Sequence, residues 1–354
     1  MPDTIALKGL AIGGISACVP QRVIENAEYG RELYGHDLDA AIKVTGVERR
    51  RFADAGVTAL DLCVKAALSL SEYAGFGYSE FGGLVFVTMT PDFSMPNNAS
   101  YAHKLLGLPQ GAPAFDISMA CAGYPYGLWV AGMIARGARK KVLLLDGDTH
   151  SRFVSPYDRS TSLLFGDGGT ATVILPSESV AGNFWRFDFV TAGDREALSA
   201  PDSGYRNRVS AESLEYEVFP DGSRRRRIDL KMDGMAVFNA VVRNAPASLS
   251  RLMEADRLRP EDYDCLLLHQ ANLMMINSVA KKLGFRDDKF PTSIGKYGNI
   301  GSGSIALNIC SEMREIVEAK HSRVLMSAFG AGFSVASASL ELGPCPVAPV
   351  AEYP

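Results

Sequence analysis

The stretch AFDISMACAGYPYGLWVAGMI, residues 114–134, reads as a strand, a turn of small residues at Cys121 and a helix. The helix is apolar nearly all round, so it belongs inside a core rather than on a surface. Pro125 falls in its first turn, where a missing N–H costs little. A second stretch, KFPTSIGKYGNIGSGSIALNI (289–309), repeats that order of strand, small-residue turn and buried helix. Working outward, VFVTMTP (85–91) and the helical YAHKLLGL (101–108) precede the first stretch, while CLLLHQAN (265–272) and VAKKLGF (279–285) precede the second. KKVLLLDGD (140–148) follows the first and SRVLMSAFGAG (322–332) the second. Gly107 answers Gly284, an offset of 177 residues, and Cys121 falls opposite Gly298–Asn299.

Continuous Val/Leu/Phe runs suit strands covered on both faces, and their alternation with helical stretches argues α/β. A pattern written twice predicts two similar halves, 1–177 and 178–343, packed about a pseudo-two-fold axis, with equivalent turns meeting at its centre. Residues 199–230 break the pattern and read as an inserted surface hairpin or lid. The Pro-rich tail 344–354 reads as frayed.

Composition excludes several classes. The chain has 354 residues, 47% of them hydrophobic and 21% charged, with a formal net charge of −4. That balance gives no global basis for binding nucleic acid or an anionic membrane. No apolar run is long enough to span a bilayer, and the N-terminus lacks the pattern of a signal peptide. Six cysteines are scattered without a C-x-x-C pair, so neither a disulfide framework nor a metal site is suggested. A reduced cytoplasmic location is the expectation.

Three residues are candidates for chemistry. Cys121 opens a buried helix, where unpaired N–H groups and the helix dipole favour thiolate; the same pattern also fits a small core residue at a tight crossing. His269 ends the strand CLLLH, where open α/β sheets bind ligands, though a hydrogen-bonded strand-end histidine reads equally well. Asn299 sits in KYGNIGSGS, where asparagine also serves turns through its left-handed backbone. The duplication brings all three to one centre, as a nucleophile and two polar groups able to donate to a thioester or enolate oxygen.

DISMACAGY (116–124), LLLHQANLMMINSVAKKLG (266–284), KYGNIGSGS (296–304) and FGAGFS (329–334) resemble the β-ketoacyl-acyl carrier protein synthase III family of the thiolase superfamily. KMDGMAVFNAVV (231–242) and FGDGGTATVI (165–174) are similar to further family motifs, in the family's order. The resemblance implies a duplicated α-β-α-β-α thiolase-like fold with mixed five-stranded sheets. It implies a Cys121–His269–Asn299 triad, an oxyanion hole from the N–H groups of Cys121 and Ala331, and Phe329 beside the triad. It further implies a homodimer with no permanently bound cofactor, which uses acyl-CoA and malonyl-acyl carrier protein as substrates. Cys121 would take the acyl group, and decarboxylative condensation would follow. The readings beside this one are a same-fold acyltransferase passing acyl to oxygen or nitrogen, and a non-catalytic partner subunit.

The match departs in places. Met274 stands where the family's channel-mouth arginine is expected, although Lys281 and Lys282 match its basic pair for carrier docking. Ala40 and Val44 replace the tryptophan and arginine that sandwich the CoA adenine, which removes stacking and cation–π contact. Met95 takes the place of the channel-floor aromatic lent by the dimer partner. These departures and the insert lean toward a specialised pathway rather than fatty-acid initiation. Arg224–Arg227 reads as a solvated hairpin flank or as a substitute docking patch, and GDGG (166–169) as a tight turn between strands.

Overall fold

In the computed structural model, which describes residues 4–177, 184–194 and 196–354, two sheets sandwich a central helical layer. The strands are β1 (Ile5–Lys8), β2 (Leu10–Pro20), β3 (Phe81–Val87), β4 (Ala114–Ile117), β5 (Lys141–Thr149) and β6 (Asp167–Pro176). They continue with β7 (Phe184–Asp194), β8 (Cys265–Leu268), β9 (Ser322–Gly330), β10 (Gly332–Leu342) and β11 (Ala351–Tyr353). One sheet runs β11-β2-β6-β5-β3-β4 and the other β1-β7-β10-β9-β8, both with parallel and antiparallel pairs.

The two halves correspond strand for strand. β3, β5, β6 and β2 of the first sheet match β8, β9, β10 and β7 of the second. Between them lie the equivalent helices α3 (Gly123–Ala138) and α6 (Ser304–Glu312), preceded in chain order by α1 (Ala59–Ala74) and α2 (Asn98–Leu106). α4 (Gly234–Asp256) and α5 (Leu273–Leu283) cover the outer face of the second sheet, as α1 and α2 cover the first. The all-round apolar character of α3 follows from its place, since it touches strands of both sheets. Its glycines permit that approach: a β-carbon on Gly123 would lie 2.3 Å from Val87 and one on Gly127 2.6 Å from Leu144.

Four expectations change. The first sheet has six strands rather than five, because the tail is not frayed. β11 pairs in parallel with β2 at Cys18–Pro20, and Val347 and Ala348 are buried beneath it. Prolines earlier in the tail lack a donor but stand before this edge strand, where nothing is asked of them. KFPT (289–292) is not a strand; Pro291 cannot donate to a ladder, and the chain turns instead into a short helix, Ile294–Tyr297. GDGG is the start of β6 rather than a turn, and its glycines admit helix α1: a β-carbon on Gly169 would meet the Cys63 nitrogen at 2.5 Å. The halves also trade ends, for β1 joins the second sheet and β11 the first. The expected boundary at 177/178 lies at the edge of the described residues.

Candidate active site

Two strand-to-helix turns, at Cys121 and His269, and the loop that leads into α6 at Asn299 converge where the sheets' ends face each other. After β4 the chain reaches Ala120 with φ 46°, a left-handed conformation that is strained for a residue with a β-carbon. Cys121 follows in the single turn Ala120–Ala122 that runs into α3. The hairpin between β9 and β10 presses on this corner: a β-carbon on Gly330 would stand 2.8 Å from the Cys121 nitrogen and 3.0 Å from that of Ala122. Only glycine fits there.

His269 extends β8, and its backbone N–H donates to Ser327. Its ring Nδ1 lies 2.7 Å from Ser304 Oγ, which also accepts the Gln270 N–H at 3.3 Å. In the tautomer where the serine hydrogen goes to Nδ1, Nε2 carries the imidazole hydrogen and is free to donate. Burial, reinforced by nearby His150, lowers the His269 pKa to about 3, so the ring is neutral over the physiological range. Phe329 meets it edge to face, ring centroids 5.4 Å apart.

The Asn299 carboxamide is equally fixed. Its Oδ1 accepts the Gly301 N–H at 2.8 Å, which leaves the two Nδ2 hydrogens to donate elsewhere. The left-handed positions of this loop fall on Gly298 and Gly301, not on the asparagine, so a backbone explanation for Asn299 fails. The loop docks on the segment before β6 through Asn299 N–H to Leu164 O and Gly166 N–H to Asn299 O, both 2.9 Å.

Burial, followed by the Asp148 carboxylate, pushes the Cys121 thiol up to about 12. The sequence favours thiolate through the helix dipole, but desolvation of the enclosed sulfur outweighs that effect here. The resting pair is thiol and neutral imidazole.

Cys121, His269, Asn299, Phe329 and Ala331 line one narrow throat of about 40 Å³. Outside it, a cavity of about 640 Å³ is walled by Ala40, Val44, Met235, Phe238 and Met274. Beyond the sulfur, a cavity of about 420 Å³ is walled by Cys121, His150, Phe153, Phe165 and Ala331, together with Ser199, Ser203 and Leu230 of the insert. The insert is thus a paired hairpin (Glu217–Val218 with Arg224–Arg225) whose base walls the inner cavity.

Other expected positions lie outside the throat. Met274 belongs to the outer cavity rather than the throat. Met95 is 86% exposed and lines none of the three cavities of its own chain. Lys281 and Lys282 are exposed at the far end of α5, about 9–10 Å along the helix from throat-lining Met275 at 1.5 Å per residue. The arginine run is turned inward, to its own insert and to the segment before β6: Arg226 pairs with buried Asp229 and Arg227 with Asp202, while Arg225 pairs with buried Asp158 and Arg224 lies 4.0 Å over Tyr157. It fastens the hairpin and leaves little free charge for docking.

Ser304, Asp148 and His150 went unread in the sequence. Asp148 Oδ1 accepts from Met89 N–H at 2.7 Å and Thr88 Oγ1 at 3.1 Å, and its Oδ2 from Ser302 at 3.2 Å, tying the strand end to the Asn299 loop. The signal for the last two was the polar DGDTH (146–150) that closes an apolar strand, as HQ closes CLLL. Among the described residues, no group of three or more His, Cys, Asp or Glu is placed to hold a metal ion, and no helix is long and apolar enough to cross a membrane.

Comparison with known proteins agrees with this geometry. Residues 115–193 match the family model for 3-oxoacyl-[acyl-carrier-protein] synthase III, and residues 253–342 the model for its C-terminal part. A β-ketoacyl-[acyl-carrier-protein] synthase III of Campylobacter concisus is 33% identical over 93% of this chain and 96% of its own. The crystal structure of a 3-oxoacyl-(acyl-carrier protein) synthase from Burkholderia xenovorans superposes with TM-score 0.92 at 34% identity, covering 99% of each chain. A priming β-ketosynthase from the R1128 polyketide pathway matches with TM-score 0.78 at 25% identity, again over 99% of each chain. With its thiolase-like fold, its converging cysteine, histidine and asparagine, and relatives matched over nearly their whole length, the chain belongs to the 3-oxoacyl-[acyl-carrier-protein] synthase III family of condensing enzymes.

Proposed function

We propose that Cys121 accepts an acyl group from a thioester, and that the acyl-enzyme then condenses with the carbanion formed by decarboxylation of a malonyl-acyl carrier protein. The observation that carries this reading is the shared throat, in which the sulfur, the His269 ring and the Asn299 amide face one narrow space. In the first step the Cys121 sulfur bonds to the thioester carbon as its proton is lost to the departing thiolate. The N–H groups of Cys121 and Ala331 would hold the tetrahedral oxyanion. In the second step His269 Nε2–H and Asn299 Nδ2–H donate to the malonyl thioester oxygen as carbon dioxide leaves. Both donors are already oriented by Ser304 and Gly301, so little reorganisation is needed when charge develops on that oxygen.

The outer cavity bears on the donor. Its lining holds one cation, Arg159, and Asp37 pairs with it at 2.9 Å. Of the aromatic rings in its lining, Tyr34 already carries the Arg159 guanidinium at 4.9 Å and only Phe238 is left, and an adenine nucleotide finds no unpaired cation there, so a carrier-bound acyl group fits the mouth better than CoA. Lys281 and Lys282 would meet the acidic carrier, and Met95 would serve a second copy of the chain in a homodimer. Cys121→Ala should abolish acyl-enzyme formation, and intact-mass detection of an acylated variant would overturn the nucleophile assignment. Release of labelled carbon dioxide from malonyl substrate separates condensation from simple acyl transfer to oxygen or nitrogen.

A further inference from the structure

The inner cavity holds an imidazole that the condensation steps do not use. His150 is only 5% exposed, yet lines the space of about 420 Å³ that opens from Cys121. Its ring lies between two phenylalanines, with centroids 5.2 Å from Phe165 at 20° and 5.2 Å from Phe153 at 39°. The Cε1 edge packs on Gly301, where a β-carbon would approach to 2.3 Å, and Asp148 Oδ2 closes the same side at 2.5 Å from that point. Nδ1 sits on that Gly301 side, enclosed without a hydrogen-bonding partner, and Nε2, which has none among the described residues either, is the atom left to meet a ligand in the cavity. A buried polar group left in this state calls for a ligand that supplies the missing bond.

The lining says which ligand. No lysine or arginine borders this cavity, and the buried carboxyl groups of Asp146 and Asp148 lie in the strand leading to His150, so an anionic tail is disfavoured. A plain hydrocarbon would fill the aromatic walls and leave the imidazole unpaired. The hydroxyl-bearing Ser199 and Ser203 stand on the same wall. We propose that the inner cavity selects acyl groups bearing a neutral oxygen function, a ketone or a hydroxyl, over unsubstituted chains of equal length, with His150 as the hydrogen-bonding partner. An imidazole serves both ligands, donating to a ketone or accepting from a hydroxyl.

This inference rests on Cys121 as the acylated residue. In the step that reads it out, a Cys121 Sγ–acyl bond forms, the donor's carbon–sulfur bond breaks, and the cysteine proton leaves on the released thiol. N-acetylcysteamine thioesters of saturated, 3-oxo and 3-hydroxy acyl groups of matched length avoid any question of carrier or CoA. Their acylation rates at Cys121 would be followed by intact mass. The native protein should prefer at least one oxygenated donor about tenfold, the value of one hydrogen bond of about 1.4 kcal/mol. The two oxygenated arms show whether the ring acts as donor or acceptor. His150→Leu should bring the ratio to one or below, while His150→Gln, which keeps a donor and an acceptor, should retain part of it. Because the ratio compares donors within one protein, a general loss of stability does not mimic the effect, and the native ratio alone decides should His150→Leu fail to fold. Equal rates for all three donors, or a preference that survives in His150→Leu, would overturn the assignment. Acylation with the expected preference but no condensation would sink the ketosynthase reading and leave this one standing; no acylation from any donor would sink both.

Discussion

The neutral thiol and neutral imidazole at the centre set how the site responds to pH. His269 falls from 6.5 to about 3 on folding, so the unfolded chain takes up the proton first as pH drops. Its contribution to stability is present above 6.5 and is lost toward pH 3, at about 1.4 kcal/mol per unit. Cys121 rises from 9.0 to about 12, so its contribution is present below 9 and lost as pH rises toward 12. Denaturant unfolding at several pH values should therefore show His269→Asn losing less stability than the native chain between pH 6.5 and 4; parallel profiles would contradict the buried neutral ring. Asn299→Asp should still acylate Cys121 but lose condensation by about 10²–10³-fold, because a carboxylate repels the enolate that the amide stabilises. Product formation at the native rate would remove Asn299 from the second step. The three residues were legible because each stands in a turn or loop at an equivalent place of a duplicated pattern, His269 at the end of an apolar strand. Ser304 was not, since its role is to aim His269 from across the sequence, and no local pattern marks a hydroxyl for that task.

At the scale of elements, two hairpins do different work. The Phe329–Gly332 turn touches the nucleophile corner so closely that Gly330→Ala must displace backbone, at a cost of about 1–3 kcal/mol for the added methyl. A shift of ~1 Å at the sulfur should cut acylation about 10²-fold, measurable by mass with far-UV circular dichroism as the folding control. The insert's hairpin is held by charge. Arg225→Ala would remove the cation paired with Asp158, whose wholly enclosed carboxylate keeps the hydrogen bonds from Ser160 and Thr161, and should destabilise the protein by about 2–3 kcal/mol. Arg224→Ala removes only an exposed ring contact and should cost ~1 kcal/mol or less. Equal effects of the two in denaturant unfolding would contradict the inward reading of the run. The sequence shows four arginines and a turn-rich insert, but the aspartates that meet three of them stand at 158, 202 and 229, and only the folded hairpin brings the first two near. That is why a charged run and a docking patch looked alike.

For the molecule as a whole, duplication was the most legible feature, and the exchange of ends the least. PCPVAPVAEYP carries few strand-forming residues, and nothing in it says that an open edge waits beside Cys18–Pro20. Removing residues 344–354 should uncover that edge along with the ground beneath Val347 and Ala348, and lower the melting midpoint by roughly 1–2 °C for each kcal/mol lost. An unchanged midpoint would mean that the tail merely rests on the sheet. The same arrangement has a consequence for synthesis on the ribosome. β2 is translated well before its outer neighbour β11, which lies at 351–353, so the nascent first half carries an unpaired strand edge until that segment is made. Throughout that interval the half-made protein can pair with other nascent chains, so its yield in the cell depends on translation speed and chaperone supply as well as on the stability of the finished fold.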